Sequence, residues 1–488
     1  MNIQVTIEEK LEKGISFAIL ADGSKALKSR LLTNAEKQDL EKRRKASPGS
    51  NFFLVPRTGQ LVAVAFTESP GDLGGALESC RRAGSKLSDL LQEHKVNKVY
   101  LTGNNIGFDE VVAFSEGLIL ASYRFLKYYS ETNYSKKRHP LSDVMLVHNR
   151  ADRKVVEEME VVTRYTMMAR DLVNEPAMAF SAVSMAEHIV SKASRTSIKS
   201  EILTRGRIEA LKMGGILAVN RGSIDPPAFT IMEYSPANAV NSRPVVLVGK
   251  GLIFDTGGMN LKTGSYMDGM KSDMAGAAVM AATIISVATL GIPLHTIALL
   301  PSTDNRVNGN AMVPGDVITM HDGTTVEVNN TDAEGRLILA DALSYAKKYK
   351  PMLAIDAATL TGAAARAIGP YGIVAMHQNA SKQFEVLKTA GEETCERIAE
   401  FPMWKEYEEL LKSDIADLSN IGGATAGAIT AAKFLAHFTD YPFIHLDIAG
   451  TSFMDKRHHY IPKGGSGTGV RTLVKFLTYL AQRKNINE

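Results

Sequence analysis

Short apolar runs alternate with longer amphipathic stretches along the whole chain. Near the start, residues 14–20 and 61–66 have the composition of strands. Residues 73–92 and 109–125 have helical spacing, with 99–101 a short strand between them. Strands alternating with helices predict a mixed α/β domain with a partly parallel sheet. Residues 152–174 form one amphipathic pattern that stops before Pro176, which predicts a long helix connecting two domains. Beyond it the chain is richer in glycine and in continuous apolar runs. Residues 229–233, 245–248, 294–299, 353–356 and 443–446 read as buried strands, and 274–287 and 337–347 as helices between them. That pattern predicts a larger domain, a mixed sheet covered by helices on both faces. The expected division is a smaller N-terminal α/β domain over 1–150, a linker helix over 151–174 and the larger domain over 175–488.

Composition narrows the partners. The chain has 488 residues, 22% of them charged, with a formal charge of +3, too small to make nucleic acid or a membrane the main partner. Basic clusters at 42–45 and 136–139 read as solvated loops. The apolar run 275–290 is short of a membrane span and is stopped by Gly291 and Pro293, so it reads as a helix buried in a large domain. Two cysteines, Cys80 and Cys395, exclude a disulfide framework and suggest a reducing compartment. The N-terminus resembles no signal or transit peptide. Gly71, Gly74 and Gly75 do not fit a phosphate-loop spacing and read as turn and packing glycines.

The chemistry is carried by two clusters. In 328–337, Asp332, Glu334 and Arg336 fall at every second position, which puts them on one face of an extended backbone. Gly335 lets the chain turn there or approach something closely. Upstream stand Lys250, Asp255, Lys262 and Asp273, with glycines at 249, 251, 257, 258 and 264 keeping bulk away. Buried charges are expensive unless paired or bound to ions. Asp255, Asp273, Asp332 and Glu334 carry four negative charges, which two divalent cations would neutralise. Such oxygen-rich ligation suits magnesium, manganese or zinc. A metal pair can lower the pKa of a shared water and polarise a carbonyl, giving hydrolysis without a protein nucleophile. There is no His-Glu-x-x-His, and the adjacent His458 and His459 read as part of a polar loop over 455–462.

The segment Asn330-Thr-Asp-Ala-Glu-Gly-Arg-Leu337 resembles the signature octapeptide of the leucyl aminopeptidase (cytosol aminopeptidase) family. Gly249-Lys-Gly251, Phe254-Asp-Thr-Gly-Gly258, Asp356-Ala-Ala-Thr-Leu-Thr-Gly362 and Arg170-Asp-Leu-Val-Asn174 are similar to it as well. The resemblance is strong from about residue 160 to 480 and weak over the first 150. It implies an N-terminal domain like a macro domain and a catalytic domain over 175–488.

The implied activity is removal of an N-terminal residue, Leu or a similar apolar one, from peptides with a free N-terminus. The resemblance implies one metal held by Asp255, Asp332 and Glu334 and another by Lys250, Asp255, Asp273 and Glu334. Lys250 would then be a neutral amine. The ions would be manganese or zinc, with magnesium or cobalt as alternatives. Lys262 would bind the developing oxyanion, and Arg336 a bicarbonate ion acting as general base. The substrate's α-amine would meet Asp273 as well as a metal. The side-chain pocket maps to Met270, Thr359, Leu360, Gly362, Thr451 and Met454. Asn260 stands where serine is expected, Thr451 is less apolar than expected, and Gly464–Gly469 departs from the family pattern. The resemblance further implies a cytoplasmic homohexamer, a dimer of trimers. The alternatives are a two-metal phosphoesterase or nuclease, and a binding module carried by an ADP-ribose-binding first domain.

Overall fold

The computed structural model describes residues 3–67 and 73–483, so Gly71 lies outside it. The chain forms two compact units, Met1–Arg164 with Glu393–Cys395 and Lys456–Lys463, and Tyr165–Glu392 with Glu396–Asp455 and Gly464–Glu488. The division falls within the helix Arg153–Asn174.

The first unit is built on a six-stranded sheet of β1 (Gln4–Ile7), β2 (Phe17–Asp22), β3 (Phe52–Val55), β4 (Val62–Thr67), β5 (Lys98–Asn104) and β6 (Asp143–Val147). Their order is β1-β6-β5-β2-β4-β3, parallel throughout except for β3 against β4. The expected helices are present as Leu73–Glu93, which takes in Gly74 and Gly75, and Phe108–Ala121.

Both basic clusters depart from the loop expectation. Residues 42–45 lie in the helix Asn34–Ala46, opened by a capping box between Thr33 and Glu36. Arg43 and Arg44 cover the rings of Phe53 and Phe66, at 5.5 and 4.5 Å from the centroids. Lys136 and Lys137 close the helix Glu131–Lys137, Arg138 caps it and His139 follows. There His139 is buried against Ser88, and burial pushes its imidazole down to about 4.

The second unit carries β7 (Lys199–Leu203), β8 (Ala228–Tyr234), β9 (Val245–Gly249), β10 (Gly251–Asp255), β11 (Thr296–Asn305), β12 (Val317–Thr319), β13 (Thr325–Glu327), β14 (Leu353–Ala358), β15 (Ile373–Gln378), β16 (Ile398–Glu400), β17 (Leu418–Ser419), β18 (Phe443–Asp447), β19 (Phe453–Met454) and β20 (Gly464–Gly465). Nine of them make one mixed sheet, β16-β15-β18-β14-β9-β11-β8-β7, with β10 pairing β11. Strands β18, β14, β9 and β11 run parallel at its centre.

Helices Ala275–Thr289 and Gly335–Ala346 both pack on β9, β11 and β14. Val246, Val248, Ile297 and Leu299 share a core with Leu337–Ala340 of the second helix. Val245, Leu247 and Ala298 therefore face the first, since strand side chains alternate. The first helix lies very close, because a Cβ on Gly276 would sit 2.0 Å from the Ala357 carbonyl oxygen. Its apolar run is buried from Ala275 to Val287, as its composition predicted.

The largest fully buried rings of this core include Phe434, Phe438 and Phe443. Replacing Phe443 by Ala is expected to destabilise the unit by about 3–5 kcal/mol, read from its urea midpoint. A shift near zero would contradict this packing.

Candidate metal centre

The central strands end together, and their carboxyl ends carry the charged side chains, the place where open α/β sheets bind ligands. Lys250 follows β9, Asp255 ends β10, and Thr359 follows β14. Asp273 stands just before the helix Ala275–Thr289, and Glu334 caps the helix Gly335–Ala346. Asp255, Asp273 and Glu334 are all buried, with carboxylate oxygens within 4.8 Å of one another.

Lys250 Nζ lies 2.8 Å from Asp273 Oδ2 and 3.3 Å from Glu334 Oε1, and donates to the Thr359 carbonyl at 2.9 Å. Thr359 Oγ1 donates to Asp273 Oδ1 at 2.7 Å. Lys262 Nζ lies between Asp255 Oδ2 at 2.7 Å and Asp332 Oδ1 at 2.5 Å. Asp332 thus enters the cluster through Lys262, outside the tight group of three. Asp255 Oδ1 accepts from the Gly257 N–H and from Asn305 Nδ2, each at 2.8 Å.

Four carboxylates against two ammonium groups leave two negative charges. The electrostatics register that imbalance. Burial, together with Asp255 and Glu334, pushes the Asp273 carboxyl up against the pull of Lys250. Burial raises Glu334 too, with Asp255 adding to it, and Asp332 is raised by burial, Asp255 and Glu334. Burial alone would pull both lysines down, but Asp273, Glu334 and Asp255 hold Lys250 above its ordinary value, and Asp255, Glu334 and Asp332 do the same for Lys262. Asp273 Oδ2 and Asp332 Oδ1 are buried and meet only the lysine ammonium groups. Crowded carboxylate oxygens with lone pairs to spare are the donor set that divalent cations take, so these residues fit the implied ions.

The expected shared face of Asp332, Glu334 and Arg336 is not observed. Asn330 Oδ1 accepts the Asp332 N–H at 2.8 Å, the Ala333 N–H returns to the Asn330 carbonyl, and Glu334 is already helical at φ −77°, ψ −32°. A local side-chain-to-backbone bond has turned the chain that alternation would have extended. Gly335 is needed for close approach, since a Cβ there would lie 2.3 Å from Lys250 Cε. Arg336 is buried and donates from Nη1 to the Asn420 carbonyl at 2.7 Å, while its Nε has no partner. Burial pulls its guanidinium down to about 10.

Among the pocket candidates, Thr359 touches the cluster directly, and the Leu360 N–H donates to Asp447 Oδ1 at 3.2 Å. Gly362 begins the following helix and is exposed. Met270 opens a short turn at which Gly269 comes beside Phe453, next to Met454 on β19. Thr451 is buried and turns back on Ile448. Asn260 ties two loops, accepting the Thr331 N–H and donating its own to Thr331 Oγ1, both at 2.8 Å. His458 lies in a tight turn bridged to Ile461, apart from any carboxylate cluster among the described residues.

The sequence reading missed Asn305, Asn420 and Asp447. Asn305 Nδ2 reaches Asp255 Oδ1, the Thr331 carbonyl at 3.0 Å and Glu334 Oε2 at 3.4 Å. Its signal was a polar run, Ser302 to Asn305, ending an apolar strand. Asn420 stands in a polar loop with no such signal.

The bottromycin maturation enzyme BotP, solved in complex with Mn, aligns with a TM-score of 0.84 at 29% identity, covering 96% of this chain and 100% of that one. A tomato leucine aminopeptidase variant aligns with a TM-score of 0.85 at 26% identity, covering 98% and 97%. The class defined by this fold and its acid cluster is a two-domain mixed α/β peptidase. The sequence profile of the cytosol aminopeptidase family, catalytic domain, matches residues 167–474. A protein of Chlorobium limicola named a probable cytosol aminopeptidase is 40% identical over 455 residues, 89% of this chain and 90% of that protein. The chain belongs to the cytosol aminopeptidase family, and it is a metal-dependent aminopeptidase that acts on peptides.

Gly335→Ala tests the close approach. The added methyl is expected to displace the Lys250 side chain and weaken manganese binding by about 10-fold or more, with the fold retained by circular dichroism. Unchanged manganese affinity would contradict it.

Proposed function

We propose that the chain removes the N-terminal residue, Leu or a similar apolar one, from peptides by means of two divalent cations. The supporting observation is the buried group Asp255, Asp273 and Glu334, whose oxygens lie within 4.8 Å of one another beside Lys250. Asp255, Asp332 and Glu334 would hold one ion, and Lys250, Asp255, Asp273 and Glu334 the other. When bound, the ions supply an acidified water and polarisation of the scissile carbonyl. Manganese or zinc suits the donors, and the Mn in the BotP complex favours manganese.

Lys250 can ligate only as a neutral amine, so it gives up its proton on binding. Lys262 stays an ammonium and stabilises the developing oxyanion, which neutral donors would hold less well. Arg336 offers an unpartnered buried Nε, which fits a small anion such as bicarbonate serving as general base. Asp273 receives the substrate's free α-amine, which would also meet a metal, an anchor that a blocked or internal peptide lacks. Met270, Thr359, Leu360, Gly362, Thr451 and Met454 form the pocket for the first side chain, and their small or apolar character suits Leu or Met. Residues 175–488 would carry the catalysis, and 1–150 a macro-like domain. We place the protein in the cytoplasm, in keeping with the name of its relatives, and take it to be a homohexamer on the family resemblance alone.

Two variants separate the roles. Glu334→Gln is expected to abolish hydrolysis of leucine-p-nitroanilide and to weaken both metal sites. Lys262→Ala is expected to lower kcat with metal content unchanged; loss of metal in that variant would refute the oxyanion role. Hydrolysis of phosphate esters instead of the anilide would refute the peptidase chemistry.

A further inference from the structure

The loop between β13 and the helix Gly335–Ala346 carries both Asp332 and Glu334, yet it has no ladder of its own. Its backbone polar groups must find partners elsewhere. One side chain supplies four of them. Asn420 Oδ1 accepts the N–H groups of Asn329 and Asn330, at 2.8 and 3.2 Å. Asn420 Nδ2 donates to the carbonyls of Asn330 and Ala333, at 2.7 and 3.4 Å. The carbonyl of the same residue accepts from Arg336 Nη1 at 2.7 Å. Asn420 is fully buried. It is carried next to the loop by β17, which pairs in parallel with β13, and the Asn420 N–H bonds the Glu327 carbonyl at 2.9 Å.

We propose that Asn420 is a positioning residue of the metal centre, one amide that sets the loop bearing Asp332 and Glu334 and, through its own carbonyl, the orientation of Arg336. The inference rests on the metal reading above and adds a residue to it. An asparagine is suited to the task because its amide presents an acceptor and two donors in one plane, matching a backbone that offers both. Aspartate would keep the two accepted bonds and lose the donated ones. Alanine would lose all four and let the Asn420 carbonyl move under Arg336. Neighbouring Ser419 also touches the loop, through Asn329 Nδ2 at 3.0 Å, but it reaches only that side chain.

The test is calorimetric titration of the full chain with Mn²⁺, with kcat and KM for leucine-p-nitroanilide measured alongside. Asn420→Ala is expected to bind Mn²⁺ about 10–100-fold more weakly than the wild type, with kcat reduced more than KM is raised. Asn420→Asp is expected to fall between the two, and it stands in for the alanine variant should that variant fail to fold. Ser419→Ala is expected to match the wild type in affinity, whatever its melting temperature. A folded Asn420→Ala or Asn420→Asp variant with wild-type affinity and kcat overturns the proposal, as does an equal loss in Ser419→Ala. A wild-type chain that takes up no Mn²⁺ overturns the metal reading itself and this inference with it, an outcome distinct from the others.

Discussion

The constraint on which this architecture depends is like charge held out of water. Asp255, Asp273, Glu334 and Asp332 converge at the ends of the central strands, and two lysines offset only half their charge. Carboxylates in such a place are stable only when cations or ordered donors surround them, because the low local dielectric magnifies both attraction and repulsion. Much of the second unit can be understood as the scaffold for that convergence. A parallel core brings β9, β14 and β11 to a common edge, and a helix rich in small residues lies close enough for Asp273 to reach Lys250. Asn305 and the Gly257 N–H fix the orientation of Asp255.

The same crowding explains the division of labour between the lysines. Lys250 is sealed among Asp273, Glu334 and the Thr359 carbonyl, whereas Lys262 is more accessible and spans Asp255 and Asp332. In the proposed mechanism the first would join a metal and the second would meet the substrate. Arg336 is held by its bond to the Asn420 carbonyl, with burial lowering its guanidinium and its Nε unpartnered.

Much of this was legible in the chain itself. The apolar runs that read as strands became β8, β9, β11, β14 and β18, because short, mostly apolar runs suit a sheet buried on both faces. The charged cluster was legible because acids and lysines among glycines are costly without a purpose. What alternation misread was the loop at 330–334, where Asn330 bends the backbone by a bond that no periodicity contains. Lys42, Lys45, Lys136, Lys137 and Arg138 are exposed as read, but charge patterns do not show an arginine lying on a phenylalanine ring or a histidine held by a serine. Asn305, marked only by the polar end of its strand, and Asn420, marked by nothing, escaped for a related reason. Their partners lie far away in sequence, and a neutral amide announces no chemistry until the fold supplies them.

The most direct measurement is anomalous diffraction at the manganese edge from crystals of the manganese-loaded protein. The account predicts two peaks among Asp255, Asp273, Asp332 and Glu334, with Lys250 beside one of them. A single peak, or manganese bound anywhere else while this cluster stays paired with its lysines, would contradict it.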